Sequence, residues 1–236
     1  MKRYLKIAWR NLWRNKRRTM ITVASVSFAI FMALLMRSMQ YGSYNLMERE
    51  AIKNSTGFIQ VHAPGYWDDK NIDNTFENTN QLFDEVDNME NVSMVIPRLE
   101  SFALASHKDM TKGIGIVGTI PEVENNITNI KTKVIEGEYF QSPVDQGILL
   151  GDDLAKFLEL KVGDTLTLIS QGFRGNTAAS INVVRGIFHF PAPDMNKQLI
   201  YMTLNEAQYF YAAPTRATSY SIMLHDPDKQ DETFAK

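Results

Sequence analysis

The spacing of hydrophobic positions changes three times along the chain. Leu5, Ala8, Trp9, Leu12 and Trp13 recur at i, i+3, i+4, i+7 and i+8, with Lys2, Lys6, Arg10 and Arg17 off that face, which predicts an amphipathic helix. Thr19 to Met36 is uncharged, and the seventeen residues from Met20 to Met36 reach the lower limit for crossing about 30 Å of hydrocarbon. The uncharged run 38–47 extends that helix, which is expected to continue to Ile52. Beyond it the period shortens. Residues 57–63 alternate as a strand, with Phe58 outward from Ile59. Pro64 and Gly65 end the strand, and 66–80, rich in Asp, Asn and Thr, reads as a loop. A helix over 81–89 places Leu82, Phe83, Val86 and Met89 on one face.

Further strands are expected at 92–96, 100–106 and 113–120, then a variable stretch containing Pro121, Asn125 and Asn126. Residues 147–168 read as strand, helix, turn, strand. Asp152 is the expected helix cap, Leu154, Ala155, Phe157 and Leu158 face inward, and Gly163-Asp164 turns into a strand over 165–169. Strands at 181–190 and 199–202 flank a turn at 191–194. A helix over 204–211, a strand over 219–224 and a polar end over 226–236 complete the pattern.

Charge orients the apolar helix. The first eighteen residues hold eight cations (Lys2, Arg3, Lys6, Arg10, Arg14, Lys16, Arg17, Arg18) and no acid, while the chain carries a net −2, so the remainder carries −10. Positive charge stays on the cytoplasmic side, which places the N-terminus inside and everything after about Arg37 outside. Trp9, Leu12 and Trp13 are the candidate anchors at headgroup depth, with Arg10 and Arg14 on anionic lipid. A straight continuation of the membrane helix is the alternative for this segment. A cleaved signal peptide and a buried core helix compete for the apolar stretch, but the long basic start and Arg37-Ser-Met-Gln40 fit the first poorly, and the one-sided cations the second.

About 190 residues remain beyond the span, enough for a real core in one or two domains. Their acidic balance argues against a nucleic-acid partner. The chain has no cysteine, which removes disulfides, thiolate metal sites and thiol nucleophiles. Gly113-Ile-Gly-Ile-Val-Gly118 matches the glycine spacing of dinucleotide sites, but Thr119-Ile-Pro121 follows where a helix must open, so a glycine-containing strand is expected. His62, His107, His189 and His225 lack metal-ligand spacing, and Asp68-Asp69, Asp84-Glu85-Asp87 and Asp152-Asp153 lack calcium-loop spacing. Sequons begin at Asn54, Asn91 and Asn126, and matter only in a glycosylating host. No catalytic set, cofactor site or metal site is expected.

The opening Ala8-Trp-Arg-Asn-Leu-Trp-Arg-Asn-Lys-Arg-Arg-Thr19, with Gly147-Ile-Leu-Leu-Gly151, Leu160-Lys-Val-Gly-Asp-Thr-Leu166 and Val183-Val-Arg-Gly-Ile187, resembles the FtsX-like permeases of ABC transporters with a MacB-type periplasmic core domain. The likeness covers nearly the whole chain. It implies a membrane-anchored α+β protein: a cytoplasmic amphipathic basic helix over 1–18, a transmembrane helix and its extension over 19–45, and a mixed α+β extracytoplasmic domain over 46–236. It also implies a non-catalytic permease subunit of a bacterial inner-membrane complex working by mechanotransmission, closer to the lipoprotein-releasing LolC and LolE kind than to cell-division FtsX. The implied partners are a cytoplasmic ABC ATPase subunit, a second permease subunit in a homo- or heterodimer, the lipid bilayer, and lipoprotein cargo or a periplasmic carrier. Family members carry four membrane helices, so this chain is expected to be a permease cut before the remaining three. A signal-anchored single-pass periplasmic binding or sensor protein is the alternative.

Overall fold

The computed structural model describes Tyr4, Trp9, Arg10 and residues 13–51 and 57–234, with side chains for all of these except 45–51. It divides into two units, 1–51 and 52–236. In the first, Trp9, Arg10, Trp13 and Arg14 are helical, Asn15 is a turn, and helix α1 (Lys16–Ala51) follows. Leu5, Ala8 and Leu12 lie outside the described residues. Within α1, Lys16–Tyr44 is long and apolar enough to cross a membrane, and none of its apolar window is buried against the rest of the chain. Its 29 residues reach roughly 43 Å at 1.5 Å each, more than the hydrocarbon thickness.

The second unit is mixed α+β. In chain order it contains β1 (Ile59–His62), β2 (Phe76–Glu77), α2 (Asn80–Asp87), β3 (Val92–His107), β4 (Met110–Thr119), α3 (Pro121–Thr128), α4 (Ile130–Lys133), β5 (Val134–Gly137) and β6 (Ile148–Gly151). There follow α5 (Asp152–Phe157), β7 (Thr165–Gln171), β8 (Thr177–Phe188), α6 (Pro193–Gln198), β9 (Leu199–Thr203), α7 (Leu204–Phe210), β10 (Arg216–Ala217), β11 (Ser219–Leu224) and α8 (Gln230–Phe234).

Six of these strands close a ring. β3 pairs antiparallel with β4, β4 parallel with β9, β9 antiparallel with β6, β6 parallel with β8, β8 antiparallel with β7, and β7 antiparallel with β3. Side chains alternate across its wall as the pleat requires. Ile114, Ile116, Ile148, Leu150, Leu166, Leu168, Ile200 and Met202 enter one buried cluster, sealed by Leu154 and Leu158 at α5 and by Leu204, Ala207 and Phe210 of α7. The intervening Val117, Leu149 and Tyr201 face outward and pack with Ile130, Phe140, Phe188 and Phe190. A third cluster joins β1 and β11 to Val86, Leu82 and Phe83 of α2. Thr79 caps α2 by accepting from the Leu82 amide at 3.2 Å.

Strand β3 differs from the expected pair of strands at 92–96 and 100–106, because it runs unbroken through Pro97. It borders β11 from Val92 to Arg98, while its pairing with β4 begins only at Arg98. Pro97, which has no N–H, therefore lies where one edge of the strand has no ladder to break. On the β11 side β3 then changes partner, meeting β7 at Leu104–Ser106. Hydroxyls cover the gap: Thr218 Oγ1 accepts from the Glu100 amide and donates to the Arg98 carbonyl, and Ser170 and Tyr211 both donate to the Phe102 carbonyl.

Five local expectations change. The variable stretch is α3, with Pro121 at its first turn and Glu122 and Glu124 near its positive end. Gly151, not Asp152, is the N-cap of α5, so Asp152 falls in the first turn and its carboxylate is free to bind Lys156 and His189. Phe157 is 48% exposed beneath the Lys112 ammonium, because Leu154, Ala155 and Leu158 set the buried face and, at about 100° per residue, Phe157 falls roughly 100° from its centre. Pro193 opens α6 inside the expected 191–194 turn, and α8 lies within the polar end. The Gly163 turn holds: φ is +93°, its N–H donates to the Val184 carbonyl, and β7 starts at Thr165.

Candidate functional site

In the first unit, the Trp9 and Trp13 ring centroids are 6.0 Å apart, and both side chains are exposed. Arg10 and Arg14 are exposed beside them. Leu12, the remaining expected interface residue, lies outside the described residues. Farther along α1, Thr22 Oγ1 donates to the Arg18 carbonyl at 3.0 Å and Ser25 Oγ to the Ile21 carbonyl at 2.9 Å. These hydroxyls thus satisfy themselves in an apolar surrounding. Arg37, farther along the helix, donates to Gln40 and sits over the Tyr41 ring at 5.7 Å.

In the folded unit, the least expected feature is a charged pair under the sheet. Arg98 is 3% exposed and Glu124 fully buried, and they meet in a bidentate bridge, Nε to Oε2 at 3.0 Å and Nη2 to Oε1 at 2.8 Å. Thr119 Oγ1 donates to the same carboxylate at 3.0 Å, and Glu100 lies 3.6 Å from the guanidinium. Burial alone pushes the Arg98 pKa down, but Glu124 and Glu100 outweigh it and hold the guanidinium charged. Burial pushes the Glu100 carboxyl up, against the pull of Arg98. The sequence signal was a lone cation in the apolar run Met94-Val-Ile-Pro-Arg-Leu99, which demands a partner wherever the strand is buried; the partner's position had no local sign.

Three of the four histidines make side-chain contacts with backbone carbonyls or side chains of the fold. His62 Nδ1 donates to the Thr218 carbonyl at 2.9 Å, and its ring stacks on Tyr66 at 4.6 Å. Burial pushes its pKa down, partly opposed by that hydrogen bond. His107 donates to the Leu158 carbonyl. His189 meets Asp152 at 3.1 Å, and its other contact is Asn196 rather than a hydroxyl. Burial would raise the Asp152 pKa, but hydrogen bonds from Lys156 and His189 bring it below the usual value. Among the described residues no group of three His, Cys, Asp or Glu side chains could hold a metal ion.

The glycine pattern lies in β4, as expected, and its job is packing. A Cβ on Gly118 would stand 2.2 Å from the Ala207 Cβ, so the glycine lets α7 lie against the strand. Gly113 and Gly115 pair with Leu104 and Phe102, leaving those side chains 52% and 65% exposed beside Ile169 over a bare backbone floor. A larger groove, about 1200 Å³, runs between the outer edge of β8, residues 137–147 and α7.

The sequence matches the family model of the MacB-like periplasmic core domain over residues 19–236. No curated protein matches the chain. Among solved structures the chain is similar to the extracellular domain of the noncanonic ABC-type transporter YknZ from Gram-positive bacteria. That likeness has 12% identity and a TM-score of 0.53, covering 74% of this chain and 86% of that one. It is also similar to the periplasmic region of MacB from Actinobacillus actinomycetemcomitans, with 12% identity and a TM-score of 0.48, covering 71% and 73%.

Proposed function

The chain belongs to the MacB-like periplasmic core domain family, and on that premise we propose that it is a permease subunit in a bacterial ABC transporter of the mechanotransmission kind. The carrying observation is that one family match runs through both the apolar helix and the folded unit, from residue 19 to residue 236. Residues 1–18 are the cytoplasmic amphipathic helix, 19–45 the first membrane helix and its extension, and 46–236 the extracytoplasmic domain. The eight N-terminal cations support that orientation. ATP hydrolysis belongs to a separate cytoplasmic subunit, and the domain, in which no nucleophile, base and orienting group are joined among the described residues, is non-catalytic. A second permease subunit completes the complex. Its motion releases or exports lipoproteins from the outer face of the inner membrane.

Affinity purification of the tagged protein from its own membranes tests the assembly. An ATPase with a P-loop should co-purify, and its hydrolysis should rise when the complex is reconstituted with lipidated protein. Recovery of the chain without any ATPase would overturn the reading. Orientation is tested separately: protease added to spheroplasts should digest the region after Gly57 and spare an N-terminal tag.

A further inference from the structure

Strand β8 pairs with β7 along Thr177–Val183 and takes β6 only from Val184 onward, so among the described residues no strand covers its other edge over 177–183. Exposed edges are ordinarily blunted by charge, proline or a bulge. Here the segment Thr-Ala-Ala-Ser-Ile-Asn-Val carries no charge and no proline, and its register with β7 has no bulge. Ala179, Ile181 and Val183 share the outward face, with Ile181 71% and Val183 49% exposed. The edge forms one wall of the 1200 Å³ groove, and Tyr209 of α7, 80% exposed, stands on another.

We infer that this groove binds an extended, basic and apolar peptide segment of a partner protein, which adds to the β8 edge as a further strand. Main-chain hydrogen bonds from an added strand give affinity, and alternate side chains give choice. Ile181 and Val183 offer an apolar face to every second residue of the guest. Charge selects its sign. Among the groove's lining residues the one cation, Arg185, is bound to Asp145 at 2.9 Å, while Glu138 and Glu206 each accept from a neutral amide, Gln141 at 2.6 Å and Asn182 at 2.9 Å, and have no cationic partner among the described residues. The inference is independent of what the transporter moves.

The test uses the full chain in detergent micelles and a fluorescein-labelled seven-residue peptide of alternating valine and lysine, read by anisotropy. Saturable binding should weaken at least tenfold when alternate peptide amides are N-methylated, when glutamate replaces lysine, or when Ile181→Lys and Val183→Lys are combined. Both substitutions are at exposed positions, so an unchanged circular dichroism melt verifies folding. A Glu138→Gln, Glu206→Gln variant supplies a second arm and should lose preference for the basic peptide. No saturable binding overturns the inference, as does equal binding of the N-methylated or the acidic peptide. Sedimentation showing a dimer that Ile181→Lys with Val183→Lys dissolves would also overturn it, by giving the edge to a second copy.

Discussion

Arg98 and Glu124, twenty-six residues apart, meet in a bidentate bridge that water does not reach, and Thr119 takes up part of the same carboxylate. The pair ties α3 to the central strand at the residue where β3 begins to pair with β4. Removing one partner leaves a buried charge alone. Arg98→Ala or Glu124→Ala should cost about 3–5 kcal/mol in chemical denaturation, whereas joint replacement by Met and Leu should cost far less. Additive losses in the double variant would refute this account of the bridge.

Gly118→Ala should destabilise by roughly 1–3 kcal/mol, because the added methyl group collides with the Ala207 Cβ. Ala207→Gly in the same chain should recover part of the loss. If the single variant melts with the wild type, the close approach of α7 to β4 is not needed.

Titration of His62 should have its midpoint below 6.5. Its folded pKa is lowered, so the folded state refuses a proton that the unfolded chain accepts. The stability held by neutral His62 is complete above pH 6.5 and is lost as pH falls through the folded value. His62→Gln should flatten the fall in denaturation midpoint across that window. Imidazole resonances with a midpoint at or above 6.5 would contradict the burial argument.

Trp9→Ala with Trp13→Ala, in the reconstituted transporter, should leave the folded unit protease-resistant and the ATPase bound, and lower cargo release per ATP hydrolysed. This follows from the proposal that each ring anchors at the interface, where Arg10 and Arg14 would each add roughly 1 kcal/mol near an anionic surface. Unchanged release per ATP would remove these residues from coupling.

Local chemistry made much of this chain legible. The period of Leu82, Phe83 and Val86 named a helix, and the uncharged run after Thr19 named the long one. What stayed hidden depends on distant partners. Pro97 looks like a strand terminator until one sees that only one side of the strand is paired there. Paired residues of β4 and β9 lie eighty-four positions apart and the strands run parallel, a pairing for which no local residue preference speaks. Phe157 looked like core because its neighbours were, and the edge of β8 looked like any other strand because what covers a strand cannot be read from its own residues.

The ring of six strands has a mechanical corollary. A sheet with two free ends can be unzipped by pulling on one of them, a strand at a time. In a closed circuit each strand is held by both neighbours, and a tug on β3 is shared at once between β4 and β7. Such a body turns or shifts as a piece before it shears.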